Sequence, residues 1–81
     1  MAAPISSFSR RVIGSVKAEL ARRDLDGADL CPVIGRTRNA VYARLRAEKS
    51  FEVEELAQIA DFFGIPVEVL VSAPASAAVA A

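Results

Sequence analysis

The chain has 81 residues, 53% of them hydrophobic, and its ten basic residues balance ten acidic ones. A chain of this length forms one domain with a single small core, and no apolar run approaches the roughly 20 residues of a membrane-spanning helix. One cysteine and no histidine exclude an internal disulfide and argue against a zinc site.

The charges are divided between the two parts of the chain. Residues 1–49 hold all ten basic residues and five acidic ones, a net charge of +5, whereas residues 50–81 hold five acidic residues and no base, a net charge of −5. A basic half favours a polyanionic partner. Residues 1–4 lack the basic start and long apolar stretch of a secretory signal, so we expect a cytoplasmic protein.

The first two predicted helices precede a glycine. Ser6 or Ser7 is suited to cap the first helix, whose apolar residues recur every four positions up to about Arg23: Phe8, Val12, Val16 and Leu20. Asp26 can cap the second helix, with Asp29 completing a capping box. Pro32 lies inside the second helix, so this helix must either begin late, near Asp29, or be kinked.

The segment from Ile34 to Leu45 is the most informative. Gly35 is suited to end the second helix, because a residue without a Cβ tolerates positive φ, and the Thr37 hydroxyl can cap a third helix over about 38–47. At about 100° per residue, one side of this helix carries Arg38, Asn39, Tyr42 and Arg46, and the other carries Ala40, Val41 and Leu45. A helix, a glycine turn and a helix with polar groups near its start predict a helix-turn-helix.

Two further helices and a tail complete the prediction. The fourth helix spans about 52–63, has acidic residues in its first turn, where the helix dipole favours them, and ends at Gly64. A short fifth helix follows Pro66. We expect residues 1–71 to form one domain and residues 72–81 to form an Ala-rich, flexible C-terminal tail. The expected core residues of the last two helices are Val53, Leu56, Ile59, Ala60, Phe63, Val67 and Leu70.

From about Ile13 to Val71, the chain resembles the DNA-binding domains of lambda-type phage repressors and Cro proteins. The matching landmarks are Leu20-Ala21-Arg22-Arg23, Leu25-Asp26, Leu30-Cys31, Ile34-Gly35, Val41 and Leu56-x-x-Ile59-Ala60-x-x-Phe63-Gly64-Ile65. The resemblance implies an all-α fold: a compact bundle of about five short helices that contains a helix-turn-helix.

The resemblance assigns DNA contacts to the third helix. Arg38, Asn39 and Tyr42 stand where such proteins touch base edges, and an arginine fork suits guanine as an asparagine amide suits adenine. The positions assigned to the DNA backbone are Arg36, Thr37, Arg44, Arg46 and Lys49. Each base-contact residue has an ordinary alternative role: Arg38 as a surface residue, Asn39 as a partner of local backbone groups, and Tyr42 in packing at the helix rim.

Other residues keep more than one interpretation. Arg44 falls within the apolar arc, where it could pair with Glu48 or cover apolar surface with its stem. Cys31 is expected to be a small buried hydrophobe, and Phe62 is either core margin or an exposed partner-binding group. Three residues depart from the family pattern: Gly27 replaces a phosphate-holding glutamine, Arg36 an apolar turn residue, and Ala47 a glycine after which the third helix is expected to continue a little further.

We expect a sequence-specific double-stranded-DNA-binding transcriptional regulator, a small Cro-like or phage-type repressor acting in the cytoplasm or nucleoid of a bacterial host. It needs no cofactor and no small-molecule ligand. Two other classes stay open: a protein-interaction module such as an antitoxin or regulator subunit, and a DNA-bending, recombination-directionality protein. We do not expect an enzyme, and we assign no catalytic residue or metal ligand, because the chain lacks the usual nucleophile–base pairs.

One recognition helix reads too few base pairs to select an operator, so we expect a homodimer on a near-palindromic site. Carboxylates near the interface predict weak pairing without DNA. The alternation of three valines also permits a short strand, although a helix is the expected structure. The candidate pairing surface consists of Phe62, Ile65, Val67, Val69 and Val71.

Overall fold

The structure is a computed structural model that describes residues 5–72, and its regular elements are all helical. They are α1 (Ser7–Arg22), a 3₁₀ turn (Gly27–Leu30), α2 (Cys31–Ile34), α3 (Arg38–Leu45), α4 (Val53–Phe63) and α5 (Val67–Val71). The predicted all-α class is confirmed. The expected tail lies outside the described residues, apart from Ser72.

The second predicted helix is divided into two parts. Asp26 accepts a hydrogen bond from the Ala28 backbone N–H and its own N–H donates to the Asp29 carboxylate, so the predicted capping box is confirmed. The 3₁₀ turn that follows passes into α2 at Cys31. Of the two alternatives for Pro32, the late start is the one observed: α2 begins at Cys31, and Pro32 lies in its first turn. A first-turn residue needs no backbone N–H for a helical hydrogen bond, so proline is tolerated there.

The helices α1, α2, α3 and α4 end in the same way. In each, a residue with positive φ follows the last turn, and the next backbone N–H donates to the carbonyl five residues before it, as in the Schellman motif. Glycine supplies this residue after α2 (Gly35, φ 64°) and after α4 (Gly64, φ 71°), as predicted. Asp24 (φ 58°) supplies it after α1 and Ala47 (φ 63°) after α3.

The end of α3 corrects one expectation. A non-glycine residue at position 47 predicted continuation of the helix, but α3 ends at Leu45 and Ala47 adopts the left-handed conformation that glycine favours. The N–H groups of Ala47 and Glu48 donate to the carbonyls of Arg44 and Ala43 at 3.0 and 2.9 Å. These two bonds satisfy carbonyls at the helix end, which offsets part of the left-handed strain.

The start of α4 corrects a second expectation, which concerns the core. Val53 was expected in the core, but its side chain is 83% exposed. Phe51, which precedes the helix, is buried instead. The remaining predicted core residues of α4 are all buried, whereas Val67 of α5 is only partly buried and Leu70 is fully buried. Phe8 is half exposed, unlike the other members of its predicted stripe.

The five fully buried core side chains come from α1, the 3₁₀ turn, α3, α4 and α5, in that order: Val16, Leu30, Val41, Ile59 and Leu70. Helix α1 packs against α3 and α5, α4 packs against α2 and α5, and α3 packs against the 3₁₀ turn. Within residues 5–72 no helix combines the length and the hydropathy needed to cross a bilayer.

Two glycines provide a matched test of the backbone conformation. A Cβ added to Gly14 or to Gly35 meets no atom within 4 Å, but only Gly35 has positive φ. Gly14→Ala should raise the free energy of unfolding by about 0.5–1 kcal/mol, because glycine destabilises a helix interior. Gly35→Ala should lower it by about 1 kcal/mol through left-handed strain. Urea unfolding of both variants measures the difference, and equal effects would contradict the assigned conformations.

Candidate nucleic-acid interface

The start of α3 presents two exposed polar side chains. Thr37 has an extended backbone (φ −70°, ψ 162°) and its Oγ1 accepts a hydrogen bond from the Ala40 N–H at 3.2 Å. Arg38 and Asn39 follow directly and are both exposed. Since the cap occupies the Thr37 oxygen as an acceptor, its hydroxyl hydrogen stays available to an anion such as a phosphate.

Tyr42 combines exposure with packing. Its ring is half-buried, and the Arg38 guanidinium lies 5.6 Å from the ring centroid, within cation–π range. A Cβ on Gly27 would stand 2.9 Å from Tyr42 Cζ and 2.6 Å from Leu45 Cδ1. Glycine at position 27 thus permits the close approach of the 3₁₀ turn to α3, and Tyr42 supports both this contact and the Arg38 side chain.

Arg44 lies in the interior, which corrects its assignment to the DNA backbone. The residue is only 3% exposed, its Nε donates to Glu55 Oε1 at 2.9 Å, and its Nη1 donates to the Ala40 carbonyl at 2.9 Å. A phosphate contact would break a buried pair and leave a carboxylate without its partner. Arg44 also does not pair with Glu48, which was the alternative considered from the sequence.

Arg36 is held by two carboxylates. Its Nε donates to Glu55 Oε2 at 2.6 Å, and its Nη2 lies 3.2 Å from Glu52 Oε2. These contacts raise the pKa of the guanidinium, with the hydrogen bond to Glu55 as the largest cause. The side chain is about two-fifths exposed, so a phosphate could reach it only in competition with both carboxylates.

Arg46 and Lys49 are more accessible. Arg46 pairs with Glu48, its Nε standing 2.8 Å from Glu48 Oε2, and this hydrogen bond is the main reason why the pKa of the Glu48 carboxyl is lowered. Both partners are more than half exposed, so the ion pair contributes little to folding stability, and Arg46 can exchange Glu48 for another anion. Lys49 is exposed in the loop before α4.

The N-terminal end of the 3₁₀ turn carries negative charge. The Asp26 and Asp29 carboxylates accept hydrogen bonds from the backbone N–H groups of Ala28 and Asp26. A phosphate approaching these donors would therefore meet two carboxylates already bonded to them. Because Gly27 also has no side chain to offer a phosphate, this removes the 3₁₀ turn from the set of candidate phosphate contacts.

Half of the basic residues belong to internal ion pairs. Arg22 and Arg23 both bind the buried Glu19 carboxylate, and Arg23 also donates to the Phe63 carbonyl at 3.1 Å and lies over its ring. Among residues 5–72, the basic side chains without an ion pair are Arg10, Arg11 and Lys17 on α1, Arg38 on α3 and Lys49. Arg38 and Lys49 are therefore the predicted DNA contacts whose charge is not already neutralised.

The buried carboxylate of Glu55 was not anticipated from the sequence. Glu55 joins Arg36, Arg44 and Glu52 in a group that we call the Glu55 cluster. Two features of the sequence pointed to this cluster: Glu52 and Glu55 have the spacing of a capping box, and Arg44 falls within the apolar arc of the third helix. The sequence does not show that a residue 11 positions away meets Arg44.

Burial and hydrogen bonding act on the pKa of the Glu55 carboxyl in opposite directions, and burial alone would raise it. Hydrogen bonds from the Glu52 backbone N–H, from Arg36 and from Arg44 together outweigh burial, so the pKa lies below the ordinary 4.5. The carboxylate is therefore the stable form at neutral pH. In the part of the chain that the structure describes, every buried side-chain nitrogen and oxygen has a partner.

Other predicted residues take less central places. Cys31 is partly buried against the core, and Phe62 is 47% exposed beside the buried Phe63. No group of three or more His, Cys, Asp or Glu residues that could hold a metal occurs within 5–72. Comparison of the chain with family models, curated proteins and solved structures finds no match.

The lowered pKa of Glu55 predicts a dependence of stability on pH. A carboxyl whose pKa is lower in the folded state stabilises the protein above its unfolded pKa, and this contribution is lost as pH falls through the folded value. Urea unfolding should therefore show a falling free energy of unfolding from about pH 6 to pH 3. The double variant Arg44→Met/Glu55→Gln should lose less over this interval, because it lacks the titrating group.

Glu54→Gln is the control, since Glu54 is an exposed neighbour on the same helix with no ion pair among the described residues. Its pH profile should match that of the parent chain. Identical slopes for all three proteins would contradict the role given to Glu55.

Proposed function

We propose that this chain is a sequence-specific double-stranded-DNA-binding regulator that inserts α3 into the major groove. The observation that carries the proposal is the start of α3, where a glycine turn and a threonine cap present two side chains to solvent: Asn39 and Arg38, which forms no ion pair within residues 5–72. The resemblance to lambda-type repressors and Cro proteins, and action in the bacterial cytoplasm or nucleoid, belong to the same proposal.

The proposed contacts differ from those assigned from the sequence. Arg38 and Asn39 read base edges, and the partly buried Tyr42 supports Arg38 beside the groove. Lys49, Thr37 and Arg46 contact phosphates, the last by giving up Glu48. Arg36 contributes only in competition with its carboxylates, and Arg44 leaves the set because it is buried.

A homodimer on a near-palindromic operator is part of the proposal. Phe62 and Val69 are 47% and 45% exposed, and they supply the apolar side chains of the pairing surface. Ile65, Val67 and Val71 pack partly against the core, so they contribute less than the sequence suggested. The pairing strand considered from the valine alternation is wrong, because Val67–Val71 forms α5.

The same exposed residues favour a second candidate function. A protein-interaction module would use Phe62 and Val69, flanked by Asp61 and Glu68, to bind another protein. The two candidates differ in their behaviour toward DNA, because only the regulator requires salt-dependent binding of duplex by the isolated chain.

The first test is the salt dependence of DNA binding. Sites selected from random duplexes by the purified chain should contain two inverted half-sites, and fluorescence anisotropy should give a log affinity that falls by about 0.9 per phosphate neutralised for each unit of log salt. Lys49→Ala should reduce this slope by about one phosphate. Glu54→Gln, which also changes one charge and lies outside the candidate pairing surface, should leave it unchanged. A parent chain without salt-dependent binding would overturn the regulator and favour the protein-interaction module.

The second test separates base readout from positioning on the backbone. Arg38→Ala should weaken binding to the selected site by about 1–3 kcal/mol and relax the preference at one base pair, whereas Lys49→Ala should weaken all sequences nearly equally. Repeating the selection with each variant measures both effects. If the base preferences of Arg38→Ala and the parent coincide, Arg38 does not read a base.

A further inference from the structure

The Glu55 cluster connects three separate segments of the chain. Arg36 belongs to the turn before α3, Arg44 to the last turn of α3, and Glu52 and Glu55 to the beginning of α4. Both oxygens of the Glu55 carboxylate are used: Oε2 accepts from Arg36 Nε at 2.6 Å, and Oε1 accepts from Arg44 Nε at 2.9 Å and from the Glu52 N–H at 3.0 Å. One side chain therefore fixes the distances between these three segments.

Burial makes this connection rigid. The Glu55 and Arg44 side chains are 3% and 4% exposed, so water cannot replace either partner without a large rearrangement. Arg44 also bonds to the Ala40 carbonyl, which ties the last turn of α3 to its first. An unsatisfied charge at this depth is strongly unfavourable, which selects the one arrangement in which all the donors reach the carboxylate.

The exposed residues of α3 lie between the two arginines. Arg38 and Asn39 follow Arg36 by two and three positions and precede Arg44 by six and five. Fixing the turn at one end and the last turn at the other leaves the segment between them little freedom to rotate. Directional hydrogen bonds to base edges need such accuracy, of about 0.5 Å and 10–20°, whereas contacts to phosphates tolerate more.

We propose that Glu55 is a positioning residue for base readout, which holds α3 in the orientation that presents Arg38 and Asn39 to the major groove. This inference rests on the proposed DNA-binding function. Glu55 itself touches no DNA, because it is buried beneath the segments that it joins. Loss of the cluster should reduce the discrimination between sequences and leave the nonspecific attraction to phosphates in place.

The double variant Arg44→Met/Glu55→Gln tests the proposal. It removes both buried charges together, so neither is left without a partner. The control is Ile59→Val, which lowers stability by about 0.5–1.5 kcal/mol through a small core cavity and leaves the cluster intact. Both are compared with the parent at a temperature where circular dichroism shows all three to be folded.

The readout is the ratio of affinities for the selected duplex and for a scrambled duplex of the same length. The double variant should lose at least tenfold in this ratio, with the scrambled affinity within about twofold of the parent and the salt slope unchanged. Ile59→Val should keep the parent's ratio. A double variant that is folded and retains the parent's ratio would overturn the positioning role.

Arg36→Gln provides a second variant if the double variant does not fold. Arg36 is partly exposed, and its replacement leaves the pair between Glu55 and Arg44 in place. If Arg36 acts through Glu55, the ratio should fall. If Arg36 only contacts a phosphate, both affinities should fall equally, the ratio should stay constant, and the proposal fails.

Amide hydrogen exchange without DNA separates this proposal from the function on which it rests. Loss of the cluster should speed exchange of the Val41–Leu45 amides at least tenfold relative to those of α1, and Ile59→Val should not produce this selective change. Unchanged protection of α3 would overturn the role of Glu55. A parent chain that binds no duplex, together with faster exchange in the double variant, would overturn base readout and leave Glu55 as the residue that holds α3.

Discussion

An eight-residue helix cannot maintain itself in water, and the arrangement around α3 follows from this constraint. Nucleation costs more than so few residues recover, and the first turn of α3 carries no acidic residue to complement the helix dipole. Its order must therefore come from contacts outside it. Val41 supplies an apolar contact with the core and Arg44 an ionic contact with α4, so Arg38 and Asn39 on the solvent-facing side are not needed to hold the helix in place.

The local parts of the fold could be predicted from the sequence because their causes are local. Gly35, Gly64, the Ser6 and Thr37 caps and the capping box of Asp26 each depend on residues within three or four positions of one another. The period of the apolar residues, the capping residues and the glycine stops together were sufficient to predict all five helices, although the second begins with a 3₁₀ turn. Interactions of this range are encoded in short stretches of sequence and need no knowledge of the tertiary structure.

The end of α3 at Ala47 was a local error, and the other errors arose where distant segments meet. Arg44 was assigned to the DNA backbone on the resemblance to lambda-type repressors although it fell within the apolar arc, and the carboxylate that binds it in the interior, Glu55, lies 11 positions away. Val53 matched the helical period of the core, but the chain buries Phe51 at the entrance to α4 and leaves Val53 in solvent. The residues assigned to the DNA phosphates were the hardest part of the site to predict, because an arginine can bind a phosphate only where neighbouring carboxylates do not already neutralise it.

The charge separation along the chain therefore attracts a polyanion less strongly than the count of charged residues suggests. Five of the ten basic side chains are in ion pairs, and four of these pair with the buried carboxylates of Glu19 and Glu55. Arg23, at the end of α1, also joins that helix to the end of α4 through the Phe63 carbonyl and ring. Among residues 5–72, the basic side chains without an ion pair form a smaller set on α1, at the start of α3 and in the loop before α4, and Arg46 joins them when it gives up its exposed partner Glu48. Formal charge therefore gives an upper limit to the electrostatic attraction of this protein.

The four similar helix ends differ in one respect that bears on how this sequence can change over time. Gly35 and Gly64 adopt the left-handed conformation without steric cost, whereas Asp24 and Ala47 adopt it against the preference of their Cβ atoms. The ends of α1 and α3 thus retain strain that a single codon change to glycine would relieve, at no loss of packing for the exposed Asp24 and at the loss of one methyl group's contact with the core for Ala47. Such positions form a reserve of stability, which would let the chain tolerate less favourable substitutions on its exposed surfaces as its partners diverge.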